Sequence, residues 1–245
     1  MARDAVDFEL RRNELPYGMH SRDEIVNYFA WQALLFKGYA RGTIIDHGAG
    51  TGGLSAALLA ARAGSVVAVE PDPQLVEVLH AKLDAVPEAD VFQGTLDDYL
   101  AAHGRACVDA IVSSNVIEHI ADDVACLEAM AELLRPGGAV GLYVPARPEL
   151  YGSLDAAVGH HRRYTREDLE TKLARAGFEV VSVRYRNLVG VVPWLVAGRV
   201  LRRDKLGAGS LRIFDRVVFP VCRRLEDLVP PVYGLNLVAI AVKPK

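Results

Sequence analysis

Apolar positions along the chain switch repeatedly between two periods. Ile25, Phe29, Ala33 and Phe36 recur at helical spacing behind Ser21-Arg-Asp-Glu24, a capping box, so a helix opens the sequence and Gly38 and Gly42 close it. Thr43-Ile-Ile is a short buried strand, and Leu54 to Ala63 is a small-residue helix able to pack close to a sheet. Ser65–Val69 is a second strand that Pro71 and Pro73 break. Leu75, Leu79 and Leu83 then make a helical stripe. Asp90–Gln93 and Val108–Ser113 are the third and fourth strands. Val124, Leu127, Ala131 and Leu134 mark a helix closed by Arg135-Pro-Gly-Gly138, and Ala139–Val144 is the fifth strand. Thr165-Arg-Glu-Asp168 caps a helix whose face is Leu169, Leu173 and Ala176, with Gly177 as its stop. Val180–Arg184 and Asn236–Val242 complete the set. Strands alternating with helices predict an α/β fold: a doubly wound, mostly parallel seven-stranded sheet with helices on both faces.

Residues 188–233 break that alternation. They are apolar, with the basic pairs Arg202-Arg203 and Arg223-Arg224, and read as an insertion before the last strand. One domain over 1–245 is expected: a helical cap (1–40), a core (41–187), the insertion or lid (188–233) and the last strand (234–245). The insertion has three readings: lid, homodimer surface, or peripheral membrane contact through Trp194 and Leu195 beside Arg199, Arg202 and Arg203. The plainest version buries its apolar residues as core and substrate pocket. Its longest apolar run, Leu188 to Gly198, is about half of what a bilayer span needs, so no integral membrane span is expected.

Charge adds one asymmetry. Residues 1–146 carry 10 Lys/Arg against 21 Asp/Glu, and residues 147–245 carry 18 against 10. Either the basic half meets an anionic partner, or the two halves face each other inside one fold. Three cysteines without a CxxC pair argue against a disulfide framework and a zinc site, and no metal site is expected. The N-terminus mixes both charge signs without an apolar core, so no signal peptide is read and a cytoplasmic location is expected. Slight net negative charge, with no aromatic–basic stripe and no base-flipping motif, argues against nucleic acid.

The candidate chemistry begins at Thr43-Ile-Ile-Asp-His-Gly-Ala-Gly-Thr-Gly-Gly-Leu54. Gly48, Gly50 and Gly53 fit the dinucleotide pattern GxGxxG, while Asp46, Gly48, Gly50 and Gly52 fit D-x-G-x-G-x-G. Glu70, ending the second strand, can accept bonds from both hydroxyls of a ribose, which suits either cofactor. Asp46 separates them. A carboxylate there repels a pyrophosphate but attracts the sulfonium and ammonium groups of S-adenosylmethionine (SAM).

With Val112 to Ile120 after the fourth strand and Leu134-Arg-Pro-Gly-Gly138 before the fifth, the chain resembles class I SAM-dependent methyltransferases over roughly residues 40–185. That resemblance implies that Gly48 and Gly50 pass under the methionine part of SAM. It places Glu70 on the ribose, Pro71 near the adenine, and Asn115 by the methionine carboxyl or the methyl group. The acidic residue usual after the third strand is missing, so Thr95 or the Leu96 backbone N–H takes the adenine contact. A "G-H-x-R-R-Y" loop, here Gly159 to Tyr164, resembles a subgroup found among polysaccharide and natural-product enzymes. It implies a small-molecule acceptor, most readily a hydroxyl of a sugar or natural product, with an amine or carboxylate also open.

A hydroxyl needs a base, and His160 and His119 are the candidates. Arg162, Arg163 and Tyr164 are the candidate substrate contacts. Each has a structural alternative. His119 can simply fix its loop, and the arginines can latch onto Glu118, Asp122 or Asp123. Three other functions stay open at this point: a non-methylating SAM reaction such as cyclisation, a non-catalytic SAM-binding module, and a nicotinamide dehydrogenase.

Overall fold

The computed structural model describes residues 25–203, 212–229 and 231–245. The Ser21–Glu24 capping box lies outside them. Seven strands form one sheet in the order β3-β2-β1-β4-β5-β7-β6. They are β1 (Gly42–His47), β2 (Gly64–Glu70), β3 (Ala89–Gln93), β4 (Val108–Ser114), β5 (Leu134–Pro145), β6 (Glu179–Arg186) and β7 (Asn236–Val242). All pairs are parallel except β5–β7 and β6–β7. The doubly wound, mostly parallel seven-stranded sheet is as the alternation predicts.

Strand order reverses between β1 and β4. Connections leave those neighbours in opposite directions, so the loops at their carboxyl ends part and open a crevice.

Among the described residues the α-helices are α1 (Val26–Phe36), α2 (Gly53–Ala60), α3 (Pro73–Leu83), α4 (Leu96–His103), α5 (Asp123–Leu133), α6 (Ser153–Ala157), α7 (Arg166–Arg175), α8 (Val191–Leu195) and α9 (Phe219–Leu228). One face of the sheet packs Ile45, Val67 and Ile111 against Leu127 and Met130 of α5 and Leu169 and Leu173 of α7. The other packs Ile44 and Val66 against Trp31 and Phe36 of α1, Leu54 and Leu58 of α2, and Phe219 of α9. The stripe Leu75, Leu79 and Leu83 is buried as expected.

Two details differ. The helix expected to run to Leu134 stops at Leu133, because Leu134 pairs with Val108 and already belongs to β5. The α1 face is wider than a spacing of four implies. Trp31 and Gln32 are as buried as Ala33 and Phe36, because an aromatic cluster of Tyr28, Trp31, Tyr143 and Phe219 surrounds this helix.

The insertion ties itself to that cluster. Asp215 lies in a π-helical turn (Phe214–Val218) that leads into α9. Its carboxylate accepts from the backbone N–H groups of Asn27 (3.1 Å) and Tyr28 (2.8 Å), the free first-turn donors of α1. Glu226 does the same for Asn187 (3.0 Å) and Leu188 (2.7 Å). Burial of the whole insertion does not follow. α8 has no fully buried residue, and much of α9 is exposed apolar surface. The two charge-rich halves do meet inside the fold: Asp123 pairs with Arg162 (2.7 Å) and Lys172 (2.8 Å).

Candidate active site

Asp46 and His47 end β1 at the crevice. Both are nearly solvent-free, at 2% and 7% exposure. Ser55 of α2 donates to the Asp46 carboxylate at 2.6 Å. Burial nevertheless pushes that carboxyl up to about 7, and the nearby Glu70 charge adds to the rise against the Ser55 bond. His47 lies 3.1 Å from the Ser113 hydroxyl, and burial lowers its imidazole to about 4. It is therefore neutral at physiological pH and supplies no charge to its neighbour.

The loop that follows turns through Gly48, Gly50 and Gly52, with φ of +67°, +57° and +77°. Such left-handed angles suit glycine. Gly48 has a second constraint: a Cβ there would lie 2.6 Å from a Val116 methyl. The Gly48 and Ala49 N–H groups both donate to the Val69 carbonyl, so the loop is bound to the end of β2.

Glu70 completes that end. One carboxylate oxygen accepts from the Gly50 N–H (2.8 Å) and the other from the Asp72 N–H (3.1 Å). Burial raises its carboxyl above the usual range against those two bonds. Each oxygen keeps a lone pair for a further donor, as a ribose contact requires. Pro71 is exposed beside it.

Thr95 is more committed than the sequence suggests. It caps α4 in a reciprocal capping box with Asp98, which uses its hydroxyl and its N–H. Leu96 buries its side chain at the first position of that helix.

Asn115 holds φ +53°, a left-handed angle uncommon for a residue with a side chain. Its N–H donates to the Tyr143 carbonyl at 2.7 Å.

The cleft over the loop is lined by Phe29, Asp46, Gly48, Gly50 and Ser114, among others. The sequence missed Phe29 and Ser114 as site residues. It also missed Gln32, which accepts from the Ser114 hydroxyl at 2.9 Å. Gln32 is fully buried, and its amide nitrogen has no hydrogen-bond partner. A glutamine in the middle of an apolar helix face was the available signal.

A second cluster adjoins the first. Val116, which touches Gly48, leads into a short 3-10 turn, Ile117–His119. Onto it fold α6 and the 158–164 loop after it, where the His161 N–H donates to the Glu118 carbonyl at 2.8 Å. His160 is buried. Its Nδ1 sits 2.9 Å from an Asp155 carboxylate oxygen, its Nε2 lies 3.7 Å from Glu118, and the His119 ring stands edge-on at 4.7 Å.

Asp155 also accepts from Arg163 Nε (2.8 Å) and the Gly152 N–H (3.0 Å). Burial opposes its ionisation, but the His160 bond and the Arg163 charge outweigh that and hold its carboxyl below the usual range. A carboxylate only accepts, so Nδ1 of neutral His160 carries the proton and Nε2 is the basic nitrogen.

The three candidate substrate contacts all have partners inside the protein. Arg162 pairs with Asp123 and donates to the Ala121 carbonyl, as in the latch alternative. Arg163 bonds Asp155 and the Ala146 carbonyl. The buried Tyr164 hydroxyl donates to Asp123 at 2.8 Å. Glu118, His119 and His160 also bring one potential ligand atom each within 4.8 Å of one another, close enough for a divalent ion.

The chain as a whole has relatives among known proteins. A methyltransferase-domain family model matches residues 22–183. The ubiquinone biosynthesis O-methyltransferase of Xanthomonas campestris is 37% identical over 102 residues, which cover 40% of this chain and 41% of that protein. The chain thus spans about two-fifths of the length of that curated relative. Among solved structures, a SAM-dependent methyltransferase from Archaeoglobus fulgidus aligns with a TM-score of 0.61 at 14% identity, covering 89% of this chain and 94% of that one. The [4+2]-cyclase SpnF aligns at 0.59 and 16%, covering 91% and 80%. At such identities the structures show a shared fold. The resemblance to SAM-dependent methyltransferases is borne out, with SAM as the cofactor: the chain belongs to the methyltransferase-domain family.

Proposed function

We propose that the protein transfers a methyl group from SAM to a small-molecule acceptor, a hydroxyl of a sugar or natural product, with His160 as the base. The observation that carries the proposal is the Asp155–His160 hydrogen bond. It fixes the imidazole tautomer and leaves Nε2 to accept a proton, next to the turn that touches the cofactor loop.

SAM supplies an electrophilic methyl group on a cationic sulfur. Asp46 and the glycine loop bind it through charge and close backbone approach, and Glu70 accepts from its ribose. Pro71, the Leu96 N–H and Asn115 are the remaining contacts, at adenine and methionine respectively. The unpartnered Gln32 amide nitrogen suits a carboxylate acceptor such as the methionine carboxyl. The acceptor oxygen attacks the methyl carbon in line. The carbon–sulfur bond breaks, its electrons return to sulfur, and the hydroxyl proton passes to His160. Arg162, Arg163 and Tyr164 hold the loop that aims His160, and His119 packs against the ring.

The test is release of S-adenosylhomocysteine on mixing SAM with a panel of sugars, nucleotide sugars, phenols and amino acids. Turnover with hydroxyl compounds alone supports the reading. Turnover confined to amines overturns the acceptor class, and a product lacking the added methyl mass overturns methyl transfer. The cofactor assignment has its own test. Glu70→Ala weakens SAM binding about tenfold or more by calorimetry, the size of a lost pair of charge-assisted hydrogen bonds. Unchanged affinity removes Glu70 from the ribose.

The proximity of Glu118, His119 and His160 favours one second reading, a divalent ion that takes the place of the base. Chelation that abolishes turnover, with recovery on adding zinc or manganese, selects it.

A further inference from the structure

The insertion between β6 and β7 exposes what an interior helix hides. Val192, Val196 and Val200 lie four residues apart, on α8 and the π-helical turn Val196–Val200 that continues it, and all are exposed. Val217, Val221, Leu225 and Leu228 repeat at four, four and three along 212–228, with exposures of 64%, 60%, 62% and 79%. A stripe at helical spacing normally faces a core. Here the opposite side of each helix does that work. Ala197 and Gly198 are buried, and Gly198 packs on Leu154. Asp215 and Phe219 are buried against α1.

Charge identifies the partner. Arg199, Arg212, Arg216 and Arg224 are exposed on the same two segments and Arg202 and Arg203 just past the first, with Arg199 also donating to the Glu149 carbonyl. The acidic residues described over 191–229 are Asp215, Glu226 and Asp227. Asp215 and Glu226 are 1% and 7% exposed and bonded to backbone N–H groups, so Asp227 alone shows negative charge to solvent. An apolar stripe beside surplus arginine is the make-up of a helix that lies in the headgroup layer of an anionic bilayer. No helix among the described residues is long and apolar enough to cross one.

Both helices also border the site. Ser153, at the start of the loop that carries His160, donates to the Gly198 carbonyl at 2.8 Å, and Arg163 lies 4.9 Å over the Trp194 ring. The second helix packs on α1, which contributes Phe29 to the cofactor cleft.

We infer that the exposed stripes of 191–200 and 212–228, with their arginines, dock the protein on an anionic lipid surface. Apolar side chains enter the interface, guanidinium groups meet lipid phosphates, and the acceptor side of the cleft stands at the membrane. Each arginine at such a surface raises partitioning about fivefold. The inference is independent of which acceptor atom is methylated.

The test is co-sedimentation of the full chain with vesicles of phosphatidylcholine alone and of phosphatidylcholine with phosphatidylglycerol, one to one. Partitioning is expected to be at least tenfold higher on the anionic vesicles and to fall as salt is raised. Val221→Glu with Leu225→Glu, both at exposed positions, should reduce it at least tenfold while calorimetric SAM affinity stays unchanged. No binding to anionic vesicles overturns the inference. So does equal binding by the double variant, which would mean charge alone at another face. A solution dimer in light scattering that the same substitutions dissociate, without vesicle binding by the native chain, assigns the stripes to a second copy and also overturns it.

Discussion

His160→Ala lowers kcat by about a hundredfold to ten-thousandfold, the range that a positioned general base contributes, and leaves the dissociation constant of SAM unchanged. The split follows from geometry. His160 belongs to the 158–164 loop, whereas the glycine loop follows β1 and is held by Val69, Glu70 and Ser55. A purely structural histidine gives a different result. Asp155 bonds His160, Arg163 and Gly152 together, so a loosened latch would let the loop drift and alter acceptor KM and thermal stability along with kcat.

Two further variants separate these roles. Arg162→Ala removes the Asp123 ion pair without touching His160, and is expected to lower the melting temperature slightly with little change in kcat. Asp155→Asn keeps the loop's shape but weakens the preference for the Nδ1-protonated tautomer, and should cost kcat without costing SAM affinity. If kcat and SAM affinity fall together, or neither falls, His160 is part of the latch and not the base.

Asp46→Asn should weaken SAM binding about tenfold to a hundredfold at pH 8 and flatten its dependence on pH. It should also stabilise the unliganded protein. Both effects share one cause. Burial raises the Asp46 carboxyl to about 7 in the fold, from 3.8 in an unfolded chain. A carboxyl raised in this way favours the fold while it is protonated. That contribution is complete below about pH 4 and is lost as pH climbs towards 7. Three units correspond to roughly 4 kcal/mol at most, so at pH 8 the native protein carries a penalty that asparagine does not.

A bound sulfonium or ammonium reverses the balance by favouring the ionised carboxylate. Binding therefore releases a proton at pH 6 to 7, and affinity rises with pH through that interval. Calorimetry in buffers of different ionisation heat reads the proton directly. Comparing native and variant proteins isolates this carboxyl from the titration of SAM itself. The idea fails if Asp46→Asn binds SAM as the native chain does, or if urea unfolding at pH 8 shows no gain in stability. His47 does not mask the effect, since its imidazole, lowered to about 4, stays neutral across this range.

Much of the candidate cofactor site was legible because its residues are near in sequence. The strand, the glycine turn and the helix of 42–60 are one continuous segment, and Glu70 ends the adjacent strand. The Asp46 argument needed only Coulomb's law and a place in a parallel sheet. Thr95 has a capping role for a local reason: its partner Asp98 is three residues away, a spacing that could have been read. Gln32 left one trace, a glutamine inside an apolar face, but its place beside Phe29 and Ser114 was out of reach. They meet only when α1 folds across the sheet, and nothing in a helical stripe says which apolar position borders a crevice and which borders a core.

The sequence by itself determined the seven strands, their alternation with helices and the glycine loop after the first strand, because period, capping and glycine placement act over a few residues. Tertiary structure decided which carboxylate each cation meets. Arg162 found Asp123, Arg163 found Asp155, and His160 was set between Asp155 and Glu118. It also decided that Asp215 and Glu226 turn inward to backbone N–H groups of distant segments, leaving arginine and exposed apolar stripes on the insertion. Charge pairing and burial depend on distances through space, and a linear pattern carries those distances only for residues within a turn or two of each other.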